Sequence, residues 1–182
     1  KVAAATATVT ISDDAATALE VTDLSAIGAL TSGAVTVSNA VVLAGTQAEL
    51  KAALITDDTK VLATSANVTV EDAASIAELT AIDAVIATMS YSTVADSAAN
   101  AATNSNSYIT GTKTVTLTDD AATAINATTL STIGGLTSGT VTVTNAIAIS
   151  GTESQVTDAL VDTDTKVAAA TATVTISDDA AT

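Results

Sequence analysis

The side chains best placed to do chemistry in this chain are carboxylates, because it contains no histidine and no cysteine. They recur as the pairs Asp13/Asp14, Glu71/Asp72, Asp119/Asp120 and Asp178/Asp179, each following a β-branched run such as Val9-Thr10-Ile11 or Val115-Thr116-Leu117. Two roles are open to such a pair. One acid can cap the helix that follows, accepting from its orphan amides and meeting the positive end of its dipole, worth about 0.5–2 kcal/mol. Alternatively, carboxylates stacked from adjacent turns could form oxygen-rich Ca2+ sites, calcium taking roughly six to eight oxygen ligands. Capping is the preferred reading, since no EF-hand or glycine-rich nonapeptide pattern accompanies the pairs. Asp57/Asp58 and Asp162/Asp164 lie before a lysine in TDDTKV and TDTDTKV, where solvated turns with local side-chain bonds are expected.

Without histidine or cysteine the usual general base and the common nucleophile–base pairs are missing, and a hydrolase triad cannot be built. The acid pairs recur with the sequence repeat, whereas a catalytic site is normally single. The expectation is no enzyme, and no cofactor other than the Ca2+ considered above. Gly33, Gly45, Gly111, Gly139 and Gly151 stand singly at element boundaries and read as turns or caps, with no phosphate-binding fingerprint. Tyr91 and Tyr108 read as partly buried residues with the hydroxyl at the surface.

Five lysines against 20 acidic residues give a net charge of −15, with no arginine. Such a surface repels phosphate backbones and anionic headgroups, so nucleic acid and membrane-surface partners are not expected. Residues 121–152 are uncharged, but their hydroxyls and two-residue alternation argue against membrane insertion. Hydrophobic residues make up 48% of the chain, almost all of them Ala, Val, Ile and Leu. Side chains this small suit a thin stack better than a broad core.

The positioning elements come from a repeat. Residues 1–17 (KVAAATATVTISDDAAT) are identical to residues 166–182, an offset of 165. Within that period Val9–Thr17 returns at Val115–Thr123 and, more loosely, at Val68–Ser75, so the motif starts at Val9, Val68 and Val115 before the identical copy at Val174. The expected organisation is one continuous array over 1–182, with units of about 8–66, 67–113 and 114–172 and with 166–182 re-entering the first. The native polypeptide is expected to continue in both directions.

Residues 7–12 and 34–38 alternate as strands, and Thr10, Thr69 and Thr116 are expected to stack as a hydroxyl ladder. Leu19, Leu24, Ile27 and Leu30 have helical spacing, with Gly33 as a helix stop. Ile76, Leu79, Ile82 and Ile86 form a second stripe behind the capping box Ser75/Glu78. Thr46/Glu49 and Thr152/Gln155 predict two more capped helices, and the polar stretch 100–107 reads as a loop. Turns of about 25–30 residues, each a strand and a helix, predict an α/β solenoid: stacked turns forming an elongated parallel sheet backed by helices. The alternatives are an all-β solenoid or tandem β-sandwiches.

The units "TVTLTDDAATA…LSTIGGLTSGTVTVTNAIAISGT" resemble the degenerate repeats of very large secreted surface and fibre proteins of cyanobacteria and other Gram-negative bacteria. The resemblance spans the whole chain and implies an extracellular or cell-surface role in adhesion, motility or matrix. Such proteins often carry glycine-rich nonapeptide calcium repeats, which this sequence lacks. The expected function is a structural repeat that builds a filament, fibre or surface layer by self-association. The alternative is a calcium-responsive adhesin or binding module.

Overall fold

Short β-branched runs can bury one face only if each is laid against another, and here they pair in parallel. The structure is a computed structural model that describes residues 6–56 and 60–178, so Asp57, Asp58 and Asp179 lie outside the described residues. It divides into two compact units, Lys1–Tyr91 and Ser92–Thr182, a boundary inside the second sequence unit.

The first unit runs β1 (Val9–Ile11), β2 (Ala18–Glu20), α1 (Val21–Gly28), β3 (Val35–Val37), β4 (Val42–Gly45), α2 (Gln47–Leu54), β5 (Val61–Leu62), β6 (Asn67–Val70), α3 (Ile76–Asp83) and β7 (Thr88–Ser90). Its strands form two parallel sheets, ordered β1-β3-β5 and β2-β4-β6-β7. Val9 pairs with Val35 and Val35 with Val61, so one pass carries the chain from Val9 to Val35 and the next from Val35 to Val61. Each full pass adds a strand to both sheets and a helix to the row α1-α2-α3.

The second unit runs β8 (Thr93–Asp96), α4 (Ala98–Thr103), a short 3-10 turn (Ser105–Ser107), β9 (Thr114–Leu117), β10 (Ala124–Asn126), α5 (Ala127–Gly135), β11 (Val141–Val143), β12 (Ala148–Gly151), α6 (Glu153–Leu160), β13 (Val167–Ala168) and β14 (Thr173–Ile176). Its sheets are ordered β8-β9-β11-β13 and β10-β12-β14, again parallel, with the helices in the row α4-α5-α6.

The fold is mixed α/β with parallel sheets. Six helices among the described residues exclude the all-β alternatives. Apolar side chains line up in columns across the strands: Leu43 beside Val68, and Val94, Val115 and Val141 in succession, all 2% exposed or less. Columns of Val, Leu and Ile fill most of the interior, as in small-residue stacks, with Tyr108 the buried aromatic ring among the described residues.

Several sequence expectations are corrected. Most passes hold two strands and a helix, because short corners such as Ser38–Val41 let the chain turn and pair again before the helix, whereas the passes from Asn67 to Thr88 and from Thr93 to Thr114 hold one strand and one helix as expected. Each unit therefore has two sheets. Leu19 belongs to β2, and α1 ends at Gly28 with Leu30 73% exposed, so Gly33 does not stop the helix. Gly33 is needed because a Cβ there would collide with the Ala7 carbonyl of the previous pass, as one at Gly139 would with the Lys113 carbonyl. At these corners Thr31 donates to the Ala7 oxygen and Thr137 to the Lys113 oxygen, each also accepting from its own glycine amide at 3.0 and 2.9 Å. Residues 100–107 are not one loop: Ser97 caps α4 and the 3-10 turn follows. Thr10, Thr69 and Thr116 do not stack, since Thr10 pairs with Thr36, Thr69 with Ala44 and Ser90, and Thr116 with Ala95 and Thr142. β1, β6 and β9, which carry these threonines, belong to three different sheets, so the motif copies do not become neighbours. Tyr108 is buried and Tyr91 half-buried.

Candidate functional site

Three of the acid pairs cap helices, but across passes. The Asp72 Oδ1 accepts from the Gln47 amide at 2.7 Å, the Asp119 Oδ2 from the Ala98 amide at 2.8 Å, and the Asp178 Oδ2 from the Glu153 amide at 2.7 Å. Those amides belong to the first residues of α2, α4 and α6, lying 25, 21 and 25 residues before the acid. Each acid thus caps the helix of the preceding pass, correcting the expectation that it caps the one that follows. The following helices begin otherwise: α1 has Glu20 at its cap position with no side-chain bond, α3 uses Ser75, and α5 uses Asn126.

The division of labour at these helix starts has a physical reason. The local cap takes the third amide: Thr46 that of Glu49, Ser97 that of Asn100, and Thr152 that of Gln155. The first amide points outward along the helix axis, where only a group from outside the helix can reach it. In the α2 box the Glu49 carboxylate accepts from the Thr46 backbone amide and from its hydroxyl, both at 2.9 Å. These bonds, the backbone one foremost, hold the Glu49 carboxyl below the ordinary glutamate range.

The other acids of the pairs and turns singled out in the sequence do less. Asp14 and Asp120 each give a backbone carbonyl to a turn, accepting from Thr17 and Thr123 at 3.0 and 3.1 Å, with exposed side chains. Glu71 is exposed. The Asp162 Oδ1 accepts a local turn bond from the Asp164 amide at 2.9 Å. Asp13 stands at the motif position of Asp119 and Asp178, yet no helix N-terminus among the described residues reaches its exposed carboxylate. Asp179 lies outside the described residues.

The motif aspartates Asp13 and Asp119 do not face a carboxylate from the next pass. The residue meeting Asp13 from the next pass is Asn39 and that meeting Asp119 is Asn145, each donating its Nδ2 to the aspartate's backbone carbonyl at 2.7 Å. Among the described residues no group of three acidic side chains converges. An open hollow of about 580 Å3 is lined by Gly111, Gly134, Leu136, Thr137, Asp164 and Lys166 among others and brings no two carboxylates together. Among the described residues no helix is long and apolar enough to cross a membrane.

What sequence reading did not anticipate is how the four motif copies differ at their strand edges. β6 pairs with β4 and β7, and β9 with β8 and β11; their inward residues Val68, Val70, Val115 and Leu117 are 1–2% exposed. β1 pairs only with β3, and β14 only with β12, among the described residues. Val174 and Ile176 of β14 are accordingly 45% and 54% exposed. No protein-family model, curated protein or solved structure matches this chain.

Proposed function

We infer that this chain is a structural repeat element of an extracellular filament, fibre or surface layer, that its passes are the turns of an α/β solenoid, and that it carries no catalysis. The observation that supports this most is the register: within each unit, successive passes add parallel strands with inward apolar columns kept in line. Such a unit can grow by further passes without a new core, because each pass buries its small side chains only against its neighbours. Aspartates that bond the helix one pass back tie each turn to the one before it. The resemblance to secreted surface repeats and the charge of −15, which keeps a Thr- and Ala-rich chain soluble outside a cell, point the same way. Self-association through repeat edges would do the assembling.

Negative-stain electron microscopy of the concentrated protein tests this. Long thin fibres whose axial period matches one full block of the sequence repeat are expected. Uniform single-chain particles at every concentration would contradict the reading.

A further inference from the structure

The segment that occurs twice, at 1–17 and 166–182, is used by opposite edges in its two copies. In β1 the segment works toward the following strand, the Val9 amide donating to the Ala34 oxygen at 2.9 Å and the Ile11 oxygen accepting from the Ser38 amide at 3.1 Å. In β14 it works toward the preceding strand, with the Thr173 amide donating to the Ile147 oxygen and the Ser177 amide to the Gly151 oxygen, both at 2.9 Å. Thr173 and Ser177 are the counterparts of Thr8 and Ser12. A parallel strand sends alternate residues to alternate neighbours, so the two sets of groups do not overlap, and one strand of this sequence can satisfy both.

The chain contains a strand that does so. β9 carries the same motif, with the Thr114 and Thr118 amides bonded to the Ser92 and Asp96 oxygens on one edge at 3.0 Å. On the other edge the Val115 amide meets the Thr140 oxygen at 2.9 Å, and the Leu117 oxygen meets the Thr144 amide at 3.5 Å. Its aspartate, Asp119, holds the first amide of α4, the helix that directly follows the strand paired to β9 on its preceding edge. β14 repeats that half of the arrangement, with Asp178 on α6, the helix after β12. β1 repeats the other half, with Asn39 on the Asp13 carbonyl as Asn145 is on Asp119's.

We propose that β1 of one copy takes the place of β14 in a second copy, pairing with that copy's β12 while keeping its own β3, so that Asp13 caps the second copy's α6. The pleat is compatible. Ile149 is the partner of Val174, whose counterpart Val9 is the partner of Val35, so the buried face continues as Ile149, Val9 and Val35. The outer face continues as Ser150, Thr10 and Thr36. Contacts on the β12 side are the same for either occupant because the sequences are identical. What favours the exchange is that the incoming strand arrives with its other edge already paired, so side chains that are 45% and 54% exposed in β14 approach the 1% of Val115 and Leu117. The released strand also regains conformational freedom.

This joint rests on the structural reading above and specifies its contact. Sedimentation velocity of the whole chain over a concentration series tests it. Asp13→Asn removes the charge from the incoming cap and weakens association about fivefold. Asp178→Asn removes it from the resident cap and strengthens association by a similar factor, because β14 becomes easier to displace. The double variant returns close to the parent chain. Association that persists with both single variants unchanged, or shifted in the same direction, overturns the joint and leaves the assembly reading standing; a chain that never associates overturns both.

Discussion

A single aspartate decides more here than its local sequence suggests. Asp119 bonds the Ala98 amide from the next pass, whereas its neighbour Asp120 is exposed and lends only a backbone carbonyl to a turn. Asp119→Ala should lower unfolding stability by about 1–2 kcal/mol in urea titrations, the usual cost of a lost helix cap. Asp120→Ala should stay within about 0.5 kcal/mol. Ala122 sits in the left-handed region at φ 65°, where a Cβ is unfavourable, so Ala122→Gly should stabilise by a few tenths to about 1 kcal/mol after the added unfolded-state entropy. The local caps Thr46, Ser75 and Thr152 were legible in the sequence because donor and acceptor lie three residues apart. The aspartate caps were not, since the pairing spans 21–25 residues and depends on which strands become neighbours.

Among the elements, the helices behind capping boxes emerge where read, though α3 ends at Asp83 and leaves Ile86 outside, while the second strand of the longer passes does not emerge. β2 and β10 run straight into α1 and α5, so Leu19 and Ile125 prolong the helical spacing of the apolar residues and conceal a strand. The corner glycines carry the close approach of successive passes. Gly139→Ala should destabilise by roughly 2 kcal/mol or more, because its Cβ meets backbone at Lys113 and Thr112, which cannot step aside as a side chain could. Gly135→Ala, with nothing within 4 Å of its added Cβ, is the matched control and should be nearly neutral. The α2 box has a pH signature. Because folding lowers the Glu49 pKa, its contribution is present above the ordinary glutamate range and fades as pH falls through that range and below it. The protection of the α2 amides, corrected for the intrinsic pH dependence of exchange, should fall over that acid window, and Glu49→Gln should flatten the dependence.

On the scale of the whole molecule, the long-period identity was visible in the sequence, but its consequence was not. Identical letters at residues 1–17 and 166–182 announce a period; only the paired registers reveal that the two copies use opposite edges. The length of a single pass, Val9 to Val35, was likewise masked, because the conspicuous motif returns only at Val68 and Val115 and skips the neighbouring pass. A polypeptide of consecutive blocks would close the proposed joint covalently, with one segment serving as both strands. On that reading the strands of each unit would lie across the direction in which its passes are added. X-ray diffraction from aligned assemblies therefore tests the central claim most directly. A meridional reflection near about 4.8 Å, the strand spacing running along the fibre axis, is the predicted result; the same spacing on the equator, or no ordered fibre at any concentration, would contradict it.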